Sequence, residues 1–390
     1  MRAGFTLIGG KSWTGGYNYL LNLVRILAAH EAGHITPVLF FGTDTAPDET
    51  QPFSAIAGAV VIHSPLMNRA RKTRSLLTSL VLGRDAAVRA LFVQHRVDVM
   101  FEAAQFFGAR IGLPVIAWIP DFQHRYLPRM FSRLGYWKRE LGFRAQMAAA
   151  GRCIMLSSED SRHSCERLYP GTVGRTSVVH FSVPPGPPVS AAEARTLADD
   201  YGLPEHFFFM PNQFSQHKNH LLVLQALVLL RERGCRVVVA ASGKQMDARN
   251  PAYFGQVRSE IARLGLQQEF RLLGLIPYPH LAALMRASVA LLNPSLFEGW
   301  STTVEEARSS GTPMLLSDLP VHREQAGDRA RFFDRWSAAS LADTLQGFEV
   351  LTQAQREDQV IAARCDALQR VRRFAGEFTA LVQRCLTQAQ

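Results

Sequence analysis

Short apolar runs alternate along this chain with longer stretches whose apolar positions recur every three or four residues. Phe5 to Ile8, Thr36 to Phe41, Ala59 to Ile62, Val97 to Phe101, Val115 to Ile119 and Cys153 to Leu156 read as buried strands. Between the first two, Tyr19, Leu20, Leu23, Val24, Leu27 and Ala28 fall on one helical face, after a Gly-rich turn from Gly9 to Gly16. Strands separated by helices in this way predict a mainly parallel sheet covered on both faces.

The pattern breaks at Val183-Pro184-Pro185-Gly186-Pro187-Pro188, where four prolines in five positions can continue neither a helix nor an inner strand. It then restarts. Strands are expected at Phe207 to Met210, Arg236 to Ala241, Phe270 to Leu273, Val289 to Leu292 and Met314 to Leu316. Helices are expected at Asn219 to Arg233, Tyr253 to Leu264, His280 to Arg286 and Val304 to Ser309. Gly311 and Pro313 stop the last of these. From Asp358 onward, Ile361, Cys365, Leu368, Val371, Phe374, Phe378, Leu381 and Cys385 mark a long amphipathic helix. The expected organisation is therefore residues 1–183, a linker 184–189, residues 190–357 and a terminal helix 358–390 packed back across the first domain.

Composition adds limits. A chain of 390 residues suits two domains of roughly 150 to 200 residues. With 47% hydrophobic and 19% charged residues it reads as globular, and no apolar run approaches the ~20 residues of a membrane span. The first ten residues have too short an apolar core for a signal peptide, so the protein is expected in the cytoplasm. The five cysteines, Cys153, Cys165, Cys235, Cys365 and Cys385, form no C-x-x-C pair and suit a reducing compartment. A net charge of +10 favours an anionic partner without choosing one.

The candidate chemistry gathers in Asn293 to Ala307. The run leaves a strand, turns at Gly299 and enters a helix at which Thr302 and Glu305 have the spacing of a capping box. Amides at a helix start attract anions. Two carboxylates, Glu298 and Glu306, stand eight positions apart around it, an arrangement that suits a sugar joined to a diphosphate; two solvated surface acids are the plain alternative. In Pro211 to His220, Lys218 sits where a strand gives way to a helix, in an otherwise uncharged turn suited to phosphate. In Trp118 to His124, Asp121 and His124 are a carboxylate and an imidazole at a strand end, able to act on an acceptor hydroxyl, or else a turn cap beside a packed His.

Other signals fail or stay open. Gly10-Lys11-Ser12 lacks the earlier Gly of a P-loop, and Gly9, Gly10, Gly15 and Gly16 do not fit G-x-G-x-x-G. Gly15 and Gly16 still leave room for a ligand near the backbone. No D-x-D pair or clustered His/Cys occurs, so the expected chemistry needs no metal and no other cofactor, with cations and helix amides neutralising a departing diphosphate. Arg69, Arg71, Lys72 and Arg74 form one basic cluster. Arg125 to Arg144 interleaves Arg125, Arg129, Arg133, Lys138, Arg139 and Arg144 with Tyr126, Phe131, Tyr136, Trp137 and Phe143. Such mixtures suit an anionic membrane surface, which would make the protein peripheral on the inner face, or an ordinary solvated face. No nucleic-acid-binding motif accompanies them, and no nucleic acid partner is expected.

Taken together, Glu298 and Glu306 at E-x7-E spacing, Gly311-Thr312-Pro313, Ser317-Asp318-Leu319-Pro320, Trp13-Thr14-Gly15-Gly16 and Pro120-Asp121-Phe122-Gln123-His124 resemble the retaining glycosyltransferases of family 4. The resemblance implies the GT-B fold, two Rossmann-like α/β domains facing across a cleft. It also implies a nucleotide-diphosphate sugar donor of hexose type and a glycan or lipid-linked acceptor, in the synthesis of cell-surface polysaccharide. Residue by residue, Glu298 would contact the transferred sugar and Glu306 the ribose. Lys218 and the amides of Gly299, Trp300, Ser301 and Thr302 would hold the diphosphate. Leu275 and Ile276 would line the base, with Ser242 and Gly243 nearby, and Gly15 and Gly16 would close over the phosphates. Two departures stand out: Asn212 replaces an Arg six residues before the lysine, leaving His217 or Lys244 to supply that charge, and Pro120 replaces a His before Asp121, leaving Asp121 or His124 to act on the acceptor. A GT-B-like sugar-nucleotide epimerase and a non-catalytic nucleotide-sugar-binding protein are the rival readings.

Overall fold

The computed structural model describes residues 1–10, 14–103 and 105–388. They divide into two units, Met1–Phe122 with Arg133–Ser182 and Arg370–Gln390, and Gln123–Ser132 with Val183–Gln369.

The elements of the first stretch are β1 (Arg2–Thr6), α1 (Thr14–His30), β2 (Thr36–Phe41), α2 (Pro47–Ser54), β3 (Val60–His63), α3 (Arg69–Val81), α4 (Ala86–Gln94), β4 (Val99–Ala103), β5 (Val115–Trp118), α5 (Gln123–Tyr126), α6 (Arg133–Ala148), β6 (Arg152–Leu156), α7 (Glu159–Leu168) and β7 (Thr176–Val178). Seven parallel strands order as β3-β2-β1-β4-β5-β6-β7. Alternate residues serve opposite faces, as the pleat requires. Phe40 meets Phe92 of α4 at 4.9 Å between ring centres on one face, and Phe5 meets Phe101 at 5.5 Å on the other. A buried pair, Arg152 and Glu102, crosses between β6 and β4, and the guanidinium also donates to the Gly108 carbonyl at 2.9 Å. Burial pushes the Glu102 carboxyl up to about 7, with Arg152 opposing the shift.

The second stretch contains α8 (Ala191–Asp200), β8 (Phe208–Met210), α9 (His220–Glu232), β9 (Val239–Ser242), α10 (Tyr253–Leu264), β10 (Phe270–Gly274), α11 (Tyr278–Ala287), β11 (Ala290–Asn293), α12 (Thr302–Ser310), β12 (Met314–Ser317), α13 (Pro320–Ala326), β13 (Ala330–Phe333), α14 (Ala338–Gln346) and α15 (Gln353–Gln388). Its six parallel strands order as β10-β9-β8-β11-β12-β13. Phe208 and Met210 face one core with α9, α10 and α14, while Phe207 and Phe209 face the other with α8, α11 and α12. The last turns of α15 belong to the first unit, where Phe378 packs 6.0 Å from Phe5.

The alternation expected from the sequence is present, with local differences. β1 is displaced towards the N-terminus because its pairing with β2 starts at Arg2, whose amide donates to Asp98. Gly15 and Gly16 lie inside α1 rather than in the turn before it; Lys11, Ser12 and Trp13 fall outside the described residues. β7, α8, α13, β13 and α14 were not expected, being short or weakly patterned. The terminal helix starts at Gln353, five residues before Asp358. Among the described residues no helix is long and apolar enough to cross a membrane.

Candidate functional site

In an open parallel sheet, ligands bind where strand order reverses, outside the carboxyl ends of the strands. In the second unit successive strands are added outward from β8 to β10 on one side and from β11 to β13 on the other, so the reversal of strand order lies between β8 and β11. The segments leaving these two strands carry Lys218 and Glu298. Their side chains meet, Lys218 Nζ to Glu298 Oε1 at 2.5 Å, with only 14% and 10% of each exposed.

Sequence makes this junction rigid. The carbonyl of His217, in the tight turn Gln216–Lys218, accepts from the Leu296 amide at 2.7 Å, tying the two segments together. Asn219 follows in the left-handed region at φ 58°, a conformation asparagine tolerates, and opens α9. The Ser295 hydroxyl lies 2.6 Å from Asn293 Oδ1 and 2.7 Å from Glu298 Oε1. Asn293 Nδ2 in turn donates to Ser301 Oγ at 3.0 Å. Glu298 is therefore held by a lysine and a serine, and so is positioned before any ligand arrives.

The start of α12 differs from expectation. Ser301, not Thr302, is its N-cap, and no capping box forms. Glu305 is fully buried and turns instead to Arg308, at 3.0 Å, and Gln325, at 3.2 Å. Gln325, from α13, does the capping: its Oε1 accepts from the Ser301 amide at 3.2 Å and its Nε2 donates to the Ser301 carbonyl at 2.8 Å. The Ser301 amide, expected among the phosphate donors, is thus committed. The amides of Thr302 and Thr303, in the first turn, have no intrahelical acceptor. Glu306 lies in the second turn, half-buried. Burial pushes its carboxyl up to about 7, and the Tyr278 hydroxyl that donates to it offsets part of the shift.

The ends of β8, β9 and β10 bring other expected residues together. Ser242 closes β9, and the Gly243 amide donates to the Gly274 carbonyl at 2.9 Å. Gly243 has φ 149°, and a Cβ there would stand 2.5 Å from the Asn212 carbonyl oxygen, so this close approach requires glycine. Asn212 is buried with neither amide atom of its side chain hydrogen-bonded. Leu275 is 78% exposed just after β10, and Ile276 is half-buried against the core.

Two histidines near the pair stay neutral. Burial holds His217 well below the ordinary imidazole range, with Lys218 and Arg249 adding to the effect. Burial takes His322 of α13 down to about 4, the Glu298 carboxylate pulling the other way. Burial thus disfavours the charge His217 would need to replace the missing Arg. Sequence reasoning missed Ser295, Gln325 and His322; Ser295 alone carried a local signal, as a hydroxyl three residues before Glu298.

The residues expected to serve the acceptor have different surroundings. The Asp121 carboxylate accepts from Arg139 Nη2 at 2.7 Å. His124 lies in α5, fully buried with its ring edge-on to Phe131, and the segment Gln123–Ser132 belongs to the second unit. There Tyr126 stacks on Phe297 at 5.4 Å, and Arg249 donates to Gln123 Oε1 at 2.6 Å. In the first unit, whose strand order reverses between β1 and β4, a cavity of about 30 Å³ lies at the ends of β1 and β2, lined by Thr6, Gly42, Thr45, Arg69, Lys72 and Gln105 among others. None of the residues singled out for catalysis or donor binding lines it. Among the described residues no group of three or more His, Cys, Asp or Glu could hold a metal ion.

The segment that builds the Lys218–Glu298 pair also carries a family signature: residues 197–364 match the model for glycosyl transferases group 1. That part of the chain is a glycosyl transferases group 1 domain. The chain is 30% identical over 115 residues to EpsF of Bacillus subtilis (strain 168), a protein named as a glycosyltransferase; the match covers 30% of this chain and 28% of EpsF. The matched stretch thus spans under a third of that relative. Similarity of fold extends much further. A glycosyltransferase from Rickettsia africae ESF-5 superposes with a TM-score of 0.71 at 14% identity, over 99% of this chain and 98% of that one. Anabaena Alr3699/HepE, solved in complex with UDP and glucose, gives 0.70 at 17% identity, over 98% and 99%. The fold is GT-B, and the glycosyl transferases group 1 domain lies in its second unit.

Proposed function

We propose that this protein transfers a hexose-type sugar from a nucleotide diphosphate to a glycan or lipid-linked acceptor, with retention of anomeric configuration, in cell-surface polysaccharide synthesis. The observation that carries the reading is the Lys218–Glu298 pair at the strand reversal of a glycosyl transferases group 1 domain, on the segments that lead into α9 and α12, with Glu306 in the second turn of α12. The Anabaena neighbour is solved with UDP and glucose in one structure and with UDP-glucose in another, which supports a nucleotide-sugar donor here.

In this reading Lys218 and the first amides of α12 neutralise the departing diphosphate, where charge develops in the transition state. Glu298 binds hydroxyls of the transferred sugar, and Ser295 keeps that carboxylate in place. Glu306 takes the ribose hydroxyls. The departing phosphate accepts the acceptor proton on the face it leaves, which preserves configuration. Asp121, held by Arg139, is the acceptor-side carboxylate. The chain's contribution is to align two substrates and to stabilise the diphosphate.

The test is a product assay with a panel of sugar nucleotides, each with and without a polysaccharide or lipid-linked acceptor. The reading expects one donor to be consumed in an acceptor-dependent way, with an α-linked donor giving an α-linked product. Conversion of the donor sugar with no acceptor present would establish an epimerase instead. Binding with neither hydrolysis nor transfer would establish a non-catalytic protein.

A further inference from the structure

Helix α3 is built inside out. Its buried side chains are Ser75 and Ser79, one turn apart, whereas Leu76, Leu77, Leu80 and Val81, with Leu82 at the C-cap, face solvent. Leu77 is 57% exposed, Leu80 53% and Val81 79%. Five large apolar side chains on one short segment exceed the scattered exposure that needs no explanation. The N-terminal half of the same helix carries Arg69, Arg71, Lys72 and Arg74, and no Asp or Glu occurs between Glu49 and Asp85. Helix α6 repeats the motif: Leu134, Trp137 and Leu141 are exposed at 81%, 57% and 60%, with Arg133 and Lys138 exposed beside them. The β3-to-β4 and β5-to-β6 connections cross the parallel sheet in the same direction. Right-handed crossovers therefore carry both connections, the one that contains α3 and the one that contains α6, over one side of it.

We propose that this side of the first unit docks on an anionic lipid leaflet, with α3 as its principal contact. The occupant must offer hydrocarbon and negative charge together. A lipid leaflet offers both, apolar side chains entering the acyl boundary while Lys and Arg meet the headgroups. A second copy meeting α3 through the same patch would bring basic residues against basic residues, with no acid to receive them. Nucleic acid would satisfy the charge and leave the leucines in water. This docking does not depend on which donor the second unit binds, so the two can fail separately.

The experiment is co-sedimentation of the full chain with vesicles of phosphatidylcholine alone and of phosphatidylcholine with phosphatidylglycerol, at low and high salt. The wild type is expected to bind the mixed vesicles only, and less at high salt. Leu77→Ser with Leu80→Ser should weaken binding at least about tenfold, through lost apolar burial. Lys72→Gln with Arg74→Gln should weaken it about 30-fold, at about fivefold per basic residue. Both pairs are exposed, so both variants should unfold at the wild-type midpoint. Three results would overturn the proposal: no binding of the wild type to mixed vesicles, equal binding to neutral ones, or wild-type binding by either variant. A wild type that is dimeric in solution and a monomeric Leu77→Ser, Leu80→Ser variant would assign the face to a second copy instead, and equally overturn it.

Discussion

The two strand reversals of this molecule are built from the same topology and equipped differently. Between β8 and β11 the strand ends are filled: lysine, glutamate, serine and asparagine side chains bond one another, and Gln325 caps the helix that follows. Beside the β1–β4 reversal, at the ends of β1 and β2, a cavity about large enough for a water or two is left, with Arg69 and Lys72 on its wall. A filled reversal fixes its ligand groups before binding, and suits a substrate part that is always the same, such as a diphosphate. An open one suits a partner that varies between related proteins. On the function proposed above, the difference places recognition of the donor's common parts at the filled reversal.

The largest test of that contrast is Lys218→Ala. It leaves the Glu298 carboxylate nearly buried with one partner fewer, which should cost about 3 kcal/mol of stability. It should also lower turnover about 10- to 100-fold, as expected when a charge-assisted contact worth roughly 1.5–3 kcal/mol in the transition state is lost. Thermal unfolding and steady-state kinetics measure the two; a wild-type value of either contradicts the role given to this pair. In the first unit the parallel change, Asp121→Ala, removes a partly exposed ion pair with Arg139 and should cost no more than about 1 kcal/mol. If Asp121 serves the acceptor, turnover falls while donor affinity stays; equal loss of donor affinity would move Asp121 to the donor side.

Gly243→Ala tests the close approach of the β8 and β9 ends. Its Cβ would meet the Asn212 carbonyl in a backbone conformation that side chains rarely adopt, so a loss of about 1–3 kcal/mol is expected, read by chemical denaturation. An unchanged midpoint would show that this part of the site is looser than the geometry implies.

The smallest effect concerns Glu306 and has a definite sign. Its carboxyl is raised to about 7, so the folded chain holds that proton more tightly than the unfolded chain. The stability this contributes is fully present below the ordinary carboxyl value and is lost as pH rises through about 7. If Glu306 holds the ribose as proposed, nucleotide binding runs the opposite way, because the anion is the form that accepts two ribose hydroxyls. Affinity should rise as pH passes from 6 to 8, by about tenfold at most, with a proton released on binding. Titration calorimetry in buffers of different ionisation heat checks this, and Glu306→Gln should flatten the profile. A flat wild-type profile would remove the ribose role.

What was legible in the sequence follows the range of the interactions. Glu298 and Glu306 lie within one strand–turn–helix segment, and Lys218 at the end of another, so local pattern was enough to find them. Glu305 was read as half of a capping box because S/T-x-x-E spacing carries no information about Gln325, which arrives from the next helix but is twenty residues away. Of the elements that went unpredicted, β7, α13 and β13 have few positions over which a period can show. Helix α3 was legible as a basic cluster and not as a solvent-facing leucine stripe, because periodicity tells that a helix has an apolar side and not whether that side meets the core or the solvent.

The most direct test of the donor site proposed at the β8–β11 reversal is calorimetric titration of UDP, GDP and ADP into the wild type and Lys218→Ala. The account predicts that at least one of them binds the wild type and that its affinity falls about 10- to 100-fold in the variant. No binding by any of the three, or equal affinity in the two proteins, would contradict it.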